Sequence, residues 1–202
     1  MKYISKLSIL LMIVLFVACS SDKDTGKMSE KEILMNEYLD KGHTISEESF
    51  NTIRLSLMQA MGANGISGAV EFCNLAAYPL TDSLSEVFNA EIRRTTKQWR
   101  NPKNAPRDYE LKILEEFEKI HSEGRLIKDS VFSLSDEEIL YVRPIYIQGL
   151  CLNCHGSVGS TLSNDNYDVI KKLYPDDNAA DYKSGDLRGM WTVKFKKEKK
   201  RN

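Results

Sequence analysis

Apolar residues recur at helical spacing through the first third of the chain and at two-residue spacing in several later stretches. Residues 28–40 predict a first helix with Ile33, Leu34, Tyr38 and Leu39 as its apolar stripe and Gly42 at its end. Ser46 suits the N-cap of a second helix reaching Met61, with Phe50, Ile53, Leu57 and Met61 turned inward. A third helix is expected over 66–77, with Pro79 disturbing its end, and a short helical piece over 80–88. Residues 92–98 alternate and are rich in Thr, which predicts a strand. The following stretch 99–106 holds two prolines and two asparagines and reads as a loop. Residues 107–121 form an amphipathic helix with Leu111, Leu114, Phe117 and Ile120 inward, stopped by Gly124. Stretches 129–134 and 139–147 predict a hairpin turning at Ser135, Asp136 and Glu137. A short helix over 167–173, ended by Pro175, and a last strand over 190–195 complete the pattern. Helices first, then a few antiparallel strands with a helix inserted, make an α+β domain.

The N-terminus follows a different pattern. Lys2 and Lys6 precede an almost unbroken apolar run over 7–17, which is too short for a comfortable membrane span and fits the core of a signal peptide. The run ends at Val17-Ala18-Cys19-Ser20, which resembles a bacterial lipobox, with Phe16 where Leu is usual. Cleavage there would leave Cys19 as a lipid-bearing N-terminus; ordinary cleavage after Ala18 would leave it a free thiol. The expected organisation is a lipoprotein-type signal peptide over 1–18, a polar tether over 19–30, one domain over 31–196 and a basic tail over 197–202. The net charge of −1 gives no reason to propose nucleic acid as a partner.

The candidate chemistry lies in Gly149-Leu150-Cys151-Leu152-Asn153-Cys154-His155-Gly156. Cys-x-x-Cys-His is the attachment sequence of a c-type haem. The two thiols can each form a thioether with one vinyl group, and the histidine directly after them falls under the iron as an axial ligand. Two competing readings are a redox dithiol and a zinc knuckle. A dithiol pair usually opens a helix in a thioredoxin-like βαβ unit, and none precedes this motif. A knuckle usually needs more Cys or His nearby, and elsewhere the chain has only Cys19, Cys73, His43 and His121. Covalent haem c is made outside the cytoplasm, so export and motif support each other. One motif predicts one haem. For the opposite face of the iron the residues leave several candidates: Cys73, His43, His121, a Met, or an open position for a gas. Cys73 shares a helical face with Ile66, Val70 and Ala77, where a free Cys can equally be a small buried apolar residue.

From Gly68 to Phe195 the sequence resembles a bacterial family of single-haem c-type domains with a PAS-like fold, whose best described member is a cyanobacterial redox or gas sensor candidate. The resemblance rests on ordered blocks: Ala69-Val70-Glu71-Phe72-Cys73, Ile92-Arg93-Arg94-Thr95-Thr96, Arg100-Asn101-Pro102-Lys103-Asn104-Ala105-Pro106, Pro144-Ile145, the Cys151–His155 motif, Tyr174-Pro175-Asp176-Asp177 and Gly185-Asp186-Leu187-Arg188-Gly189. One departure is Thr96-Lys97-Gln98-Trp99, where the family usually has a Ser and an aromatic. The resemblance implies a PAS-like antiparallel sheet and makes Cys73 the second axial ligand opposite His155. Thiolate ligation would favour ferric iron and lower the potential, and reduction would weaken the iron–sulfur bond.

Arg93, Arg94 and Arg100 are candidates to pair with the haem propionates, because guanidinium suits carboxylates, against the alternative of a solvated strand and loop face. Asn101 to Pro106 is expected to shape a rigid loop near the pocket, and Asp186 with Arg188 to support a turn. The reading that results is a lipid-anchored envelope protein, facing the periplasm or in the outer membrane, that senses redox state or a gas. An electron-transfer cytochrome is the alternative, and a haem peroxidase a third, disfavoured because no distal acid/base pair stands out. The expected partners are the membrane, through the lipid, and an unidentified redox or signalling partner; a homodimer is compatible with the sequence.

Overall fold

The computed structural model describes residues 28–197. The expected signal peptide, Cys19 and most of the tether precede this range, and the tail beyond Lys197 follows it, so these expectations lie outside the described residues.

The chain begins with helix α1 (Glu30–Leu75), which Ser29 and Glu32 open as a reciprocal capping box. The two helices expected over 28–61 are one helix. Gly42 does not end it, because a residue without a side chain is needed where the helix crosses the sheet: a Cβ there would lie 2.5 Å from the Cβ of Tyr141 and nearer still to its Cγ. Ser46 is accordingly no cap. It lies inside the helix, and its hydroxyl donates back to the His43 carbonyl at 2.9 Å. The real interruption comes at Asn64 and Gly65, where Gly65 has φ +60°. The chain restarts so close to its previous turn that a side chain at Gly68 would meet the Ala60 carbonyl at 2.6 Å.

Helix α2 (Ala77–Val87) follows at once, with Pro79 in its first turn, where no amide donor is required. Strand β1 (Glu91–Thr95) stops three residues short of its expected end. Its continuation is captured by the loop that follows, since the Asn104 carbonyl accepts from the Thr96 amide at 3.1 Å and from the Thr95 hydroxyl at 3.2 Å. Helix α3 (Asp108–Ser122), strands β2 (Ser130–Ser133) and β3 (Glu138–Tyr146), the single turn α4 (Leu152–His155), helix α5 (Asn164–Leu173) and strand β4 (Leu187–Lys196) complete the chain. All strand pairings are antiparallel, in the order β1-β4-β3-β2. The α+β expectation therefore holds.

Alternation divides the strands between two cores. Ile92, Ile139, Tyr141, Trp191, Val193 and Phe195 face α1 and α2, where Tyr38, Ile45 and Ile53 complete one cluster. Leu140, Val142 and Met190 face the other way, onto Leu114 and Phe117 of α3. The expected inward stripe of α1 is only partly inward. Ile33 is 55% exposed, ahead of the first buried residue, Tyr38, and Phe50 is 38% exposed because Ser49 and Ile53, not Phe50, occupy the buried face there.

An acid-sensitive tie joins β1 to its neighbours. Glu91 pairs with Arg107 and, at 3.0 Å, with Lys194 of β4. Burial works against its charged form, but the bonds to Arg107 and Lys194 prevail and hold the carboxyl at about 2 rather than 4.5. A depressed carboxylate stabilises the fold above its unfolded pKa, and that contribution is lost as pH falls towards the folded value. Unfolding midpoints followed from pH 4.5 down to about 2 should therefore fall less steeply in Glu91→Gln than in the parent.

Candidate functional site

Strands β1, β3 and β4 bring three segments to one end of the sheet: the end of β1, the end of β3 and the start of β4. Directly after β3 the chain makes a 3-10 turn over Gly149–Cys151 and runs into α4, which carries Cys154 and His155. The Cys-x-x-Cys-His stretch is thus a compact turn against that sheet end. Gly156 ends it because a side chain there would meet the Leu152 carbonyl at 2.6 Å. Cys151 and Cys154 are free thiols. Cys154 packs on a cluster made by Val70 of α1, Leu162, Ile170 of α5 and Tyr174.

His155 has a fixed tautomer. Its Nδ1 lies 2.7 Å from the Ala179 carbonyl, which can only accept. Nδ1 therefore carries the proton and Nε2 keeps a free lone pair, as a metal-binding imidazole requires. Tyr182 meets the ring edge-on at 6.3 Å, and its amide donates to the His155 carbonyl at 2.9 Å. Burial first, then the positive charges of Arg188 and Arg100, hold the imidazole well below its ordinary pKa, so it is neutral.

Arg100 clamps the same turn. Its Nε donates to Asp177 Oδ1 at 3.0 Å and its Nη2 to Asp177 Oδ2 at 3.3 Å. Nη2 also reaches the Cys154 carbonyl at 2.6 Å and the Ala179 carbonyl at 3.4 Å. The Asp177 side chain is fully buried and that of Arg100 is 10% exposed. Asp177 Oδ1 additionally accepts from the Ala179 amide at 3.1 Å.

A cavity of about 180 Å³ opens between this turn and the sheet, lined among others by Arg94, Asn104, Ile145, Ile147, Cys151, His155 and Arg188. The three arginines expected as carboxylate anchors divide. Arg94 lines the cavity. Arg93 points to the opposite face of β1, where its Nη2 donates to the Ala105 carbonyl at 3.1 Å and its Nε lies 3.3 Å from buried Glu110. Arg100 is committed to Asp177. Arg188, expected as a turn support, lines the cavity instead and ties its wall by donating to the Thr96 hydroxyl and the Gln98 carbonyl, each at 2.9 Å. Asp186 does support the turn, accepting from the Lys183 amide at 2.7 Å. Asn104 braces the loop side through the Tyr78 hydroxyl, 2.8 Å away.

Cys73 sits on α1 three residues beyond Val70, which belongs to the same cluster as Cys154 and Tyr174. Burial pushes the Cys73 thiol up, against the opposing pull of Arg94 and Arg100. The other ligand candidates lie elsewhere. His43 is bonded to Asp129 beside the start of β2 at 2.9 Å, His121 lines an adjoining groove that shares Thr96, Arg188 and Gly189 with the cavity, and Met190 is buried beneath α3. Among the described residues, no group of three or more His, Cys, Asp or Glu side chains is placed to hold a metal ion. What the arrangement offers around the cavity is one thiol, Cys151, the His155 imidazole and the guanidinium groups of Arg94 and Arg188; Cys154 faces the neighbouring apolar cluster, and Cys73 is not among the residues that line the cavity.

Comparisons with known proteins bear on the fold and the family. No curated protein matches the chain. A solved structure, described as the cyanobacterial heme-protein Tll0287, shares the fold with a TM-score of 0.51 at 22% identity, over 77% of this chain and 98% of that one. The Tll0287-like family model matches residues 25–195, nearly the whole described chain, and the protein therefore belongs to the Tll0287-like family.

Proposed function

We propose that this protein carries one covalent haem c, held by thioethers to Cys151 and Cys154, with His155 and Cys73 as axial ligands in a PAS-like domain. We infer further that it is a lipid-anchored envelope protein that senses redox state or a small gaseous ligand. The observation that carries the reading is the His155 tautomer: the bond from Nδ1 to the Ala179 carbonyl at 2.7 Å leaves Nε2 as the donor that an axial histidine uses. The match to a family named for a heme-protein supports the cofactor. Arg94 and Arg188, the two guanidinium groups lining the cavity, are the residues that would pair with the propionates.

When bound, haem supplies a one-electron ferric/ferrous couple and a sixth position that a gas can take. The chain's own groups would do the rest. Cys73 would hold the sixth position as a thiolate in the ferric state. On reduction by a one-electron donor, the Cys73 sulfur would take one proton and leave that position. Desolvation disfavours an unpaired thiolate, so protonation would accompany its release. An electron carrier would keep Cys73 bound in both states.

The test is maturation of the full chain in a host that exports and attaches haem c. Its mass should rise by one haem, and Cys151→Ala/Cys154→Ala should lose all covalent haem. The ferric form should give a low-spin spectrum with thiolate character that disappears in Cys73→Ala. A parent chain without covalent haem would sink the cofactor assignment. Spectra indifferent to Cys73 would remove it as a ligand, and an unchanged six-coordinate ferrous form would favour the electron carrier. Cys19→Ala should move the protein from the membrane to the soluble envelope fraction.

A further inference from the structure

We propose that the Arg100–Asp177 pair is a positioning device that sets the electron affinity of the site through the Ala179 carbonyl. The inference rests on the haem reading above and concerns two residues outside the attachment motif. Two donors meet at one oxygen. The Ala179 carbonyl accepts from His155 Nδ1 at 2.7 Å and from Arg100 Nη2 at 3.4 Å. The amide of the same residue donates to Asp177, which in turn pairs with Arg100. The guanidinium also grips the carbonyl of Cys154, one residue before His155.

A histidine whose Nδ1–H is drawn strongly to an acceptor gains imidazolate character and favours the more positive ferric iron. A guanidinium on the same acceptor oxygen draws density from it and opposes that effect. Its positive charge disfavours the ferric state directly as well, because the side chain is only 10% exposed and screening is weak. Asp177 masks most of that charge. The pair therefore holds the carbonyl in place while its own net charge stays near zero, and each member biases the iron in the opposite sense to the other.

The experiment is equilibrium redox titration of the haem-loaded chain, with electrons exchanged with dithionite and ferricyanide through mediators, alongside ferric spectra. Asp177→Asn is close in shape and exposes the guanidinium charge, so the midpoint potential should rise. Arg100→Gln exposes the carboxylate, so the midpoint should fall. Combining the two should bring the potential back towards that of the parent. If Arg100→Gln does not accumulate folded, the rise in Asp177→Asn and its reversal in the double variant decide the matter alone. Arg100→Lys, which keeps the charge, should stay nearer the parent than Arg100→Gln does.

Loss of thermal stability without a change in potential would make the pair a purely structural clamp and overturn the proposal. Shifts of the same sign in both single variants would overturn it too, since a general loosening of the turn predicts that result. Failure of the parent chain to attach haem would instead remove the underlying reading. The two failures are therefore told apart by the parent protein's spectrum.

Discussion

Gly42→Ala should be among the most damaging single-methyl changes in this protein. Tyr141 is fully buried at the centre of the sheet, paired to Val193 of β4 and Val131 of β2. The α1 backbone passes directly over its ring, and the new Cβ would be 2.5 Å from the Tyr141 Cβ and closer to the ring carbons. Normally Gly→Ala inside a helix gains stability from propensity, by roughly 1 kcal/mol. Here that gain is outweighed, because neither partner can give way. The ring is held by its hydroxyl, which donates to Asp129 at 2.5 Å, and moving the helix would break its packing on Ile139, Trp191 and Val193. Overpacking typically costs about 1–3 kcal/mol, and a clash with two fixed elements belongs at or beyond the upper end. Urea unfolding of the haem-free chain should show the loss. A Gly42→Ala variant as stable as the parent would mean that α1 does not cross the sheet at Tyr141.

Gly42 also illustrates what could be read from the sequence and what could not. As a letter in a helical pattern it resembles a stop, and Ser46 after it resembles a start. Neither reading could see Tyr141, almost a hundred residues later, which makes the glycine a clearance and the serine a buried hydroxyl. The hairpin, α3 and the last strand were legible because their alternation and amphipathic stripes are local properties. Ile33 and Phe50 illustrate the limit of helical spacing: it does not say how far along a helix the packing begins, nor that small Ser49 rather than large Phe50 fills the buried face.

The site divides in the same way. Cys151, Cys154 and His155 were legible because attachment chemistry imposes a fixed local spacing. Cys73 was reached through family resemblance, since on its own helix it is indistinguishable from a small core residue. Charge alone makes Arg93, Arg94 and Arg100 equal candidates. Strand alternation could have separated Arg93 from Arg94, because adjacent residues in β1 face opposite sides. No local signal links Arg100 to Asp177, although the Tyr174-Pro175-Asp176-Asp177 block marked the place. Arg188 was passed over because its neighbour Asp186 does support a turn, while the strand start carries Arg188 on into the cavity wall.

Arg100→Ala is expected to have the largest effect of any side-chain truncation outside the attachment motif. It would remove both bonds to Asp177 and the grips on the Cys154 and Ala179 carbonyls. The greater harm lies in what stays behind: a fully buried Asp177 carboxylate without its cation. Breaking a buried pair from one side costs roughly 3–5 kcal/mol, mostly because the orphaned charge cannot reach water. A variant with both residues replaced, Arg100→Ala with Asp177→Asn, leaves no orphaned charge, so it should recover part of the loss despite carrying one more substitution. That non-additivity is the signature of direct coupling between the two residues. Denaturant unfolding of the haem-free single and double variants measures it without reference to the cofactor. Additive losses would mean that Arg100 acts chiefly through the two carbonyls, and that Asp177 finds other partners when the guanidinium is gone.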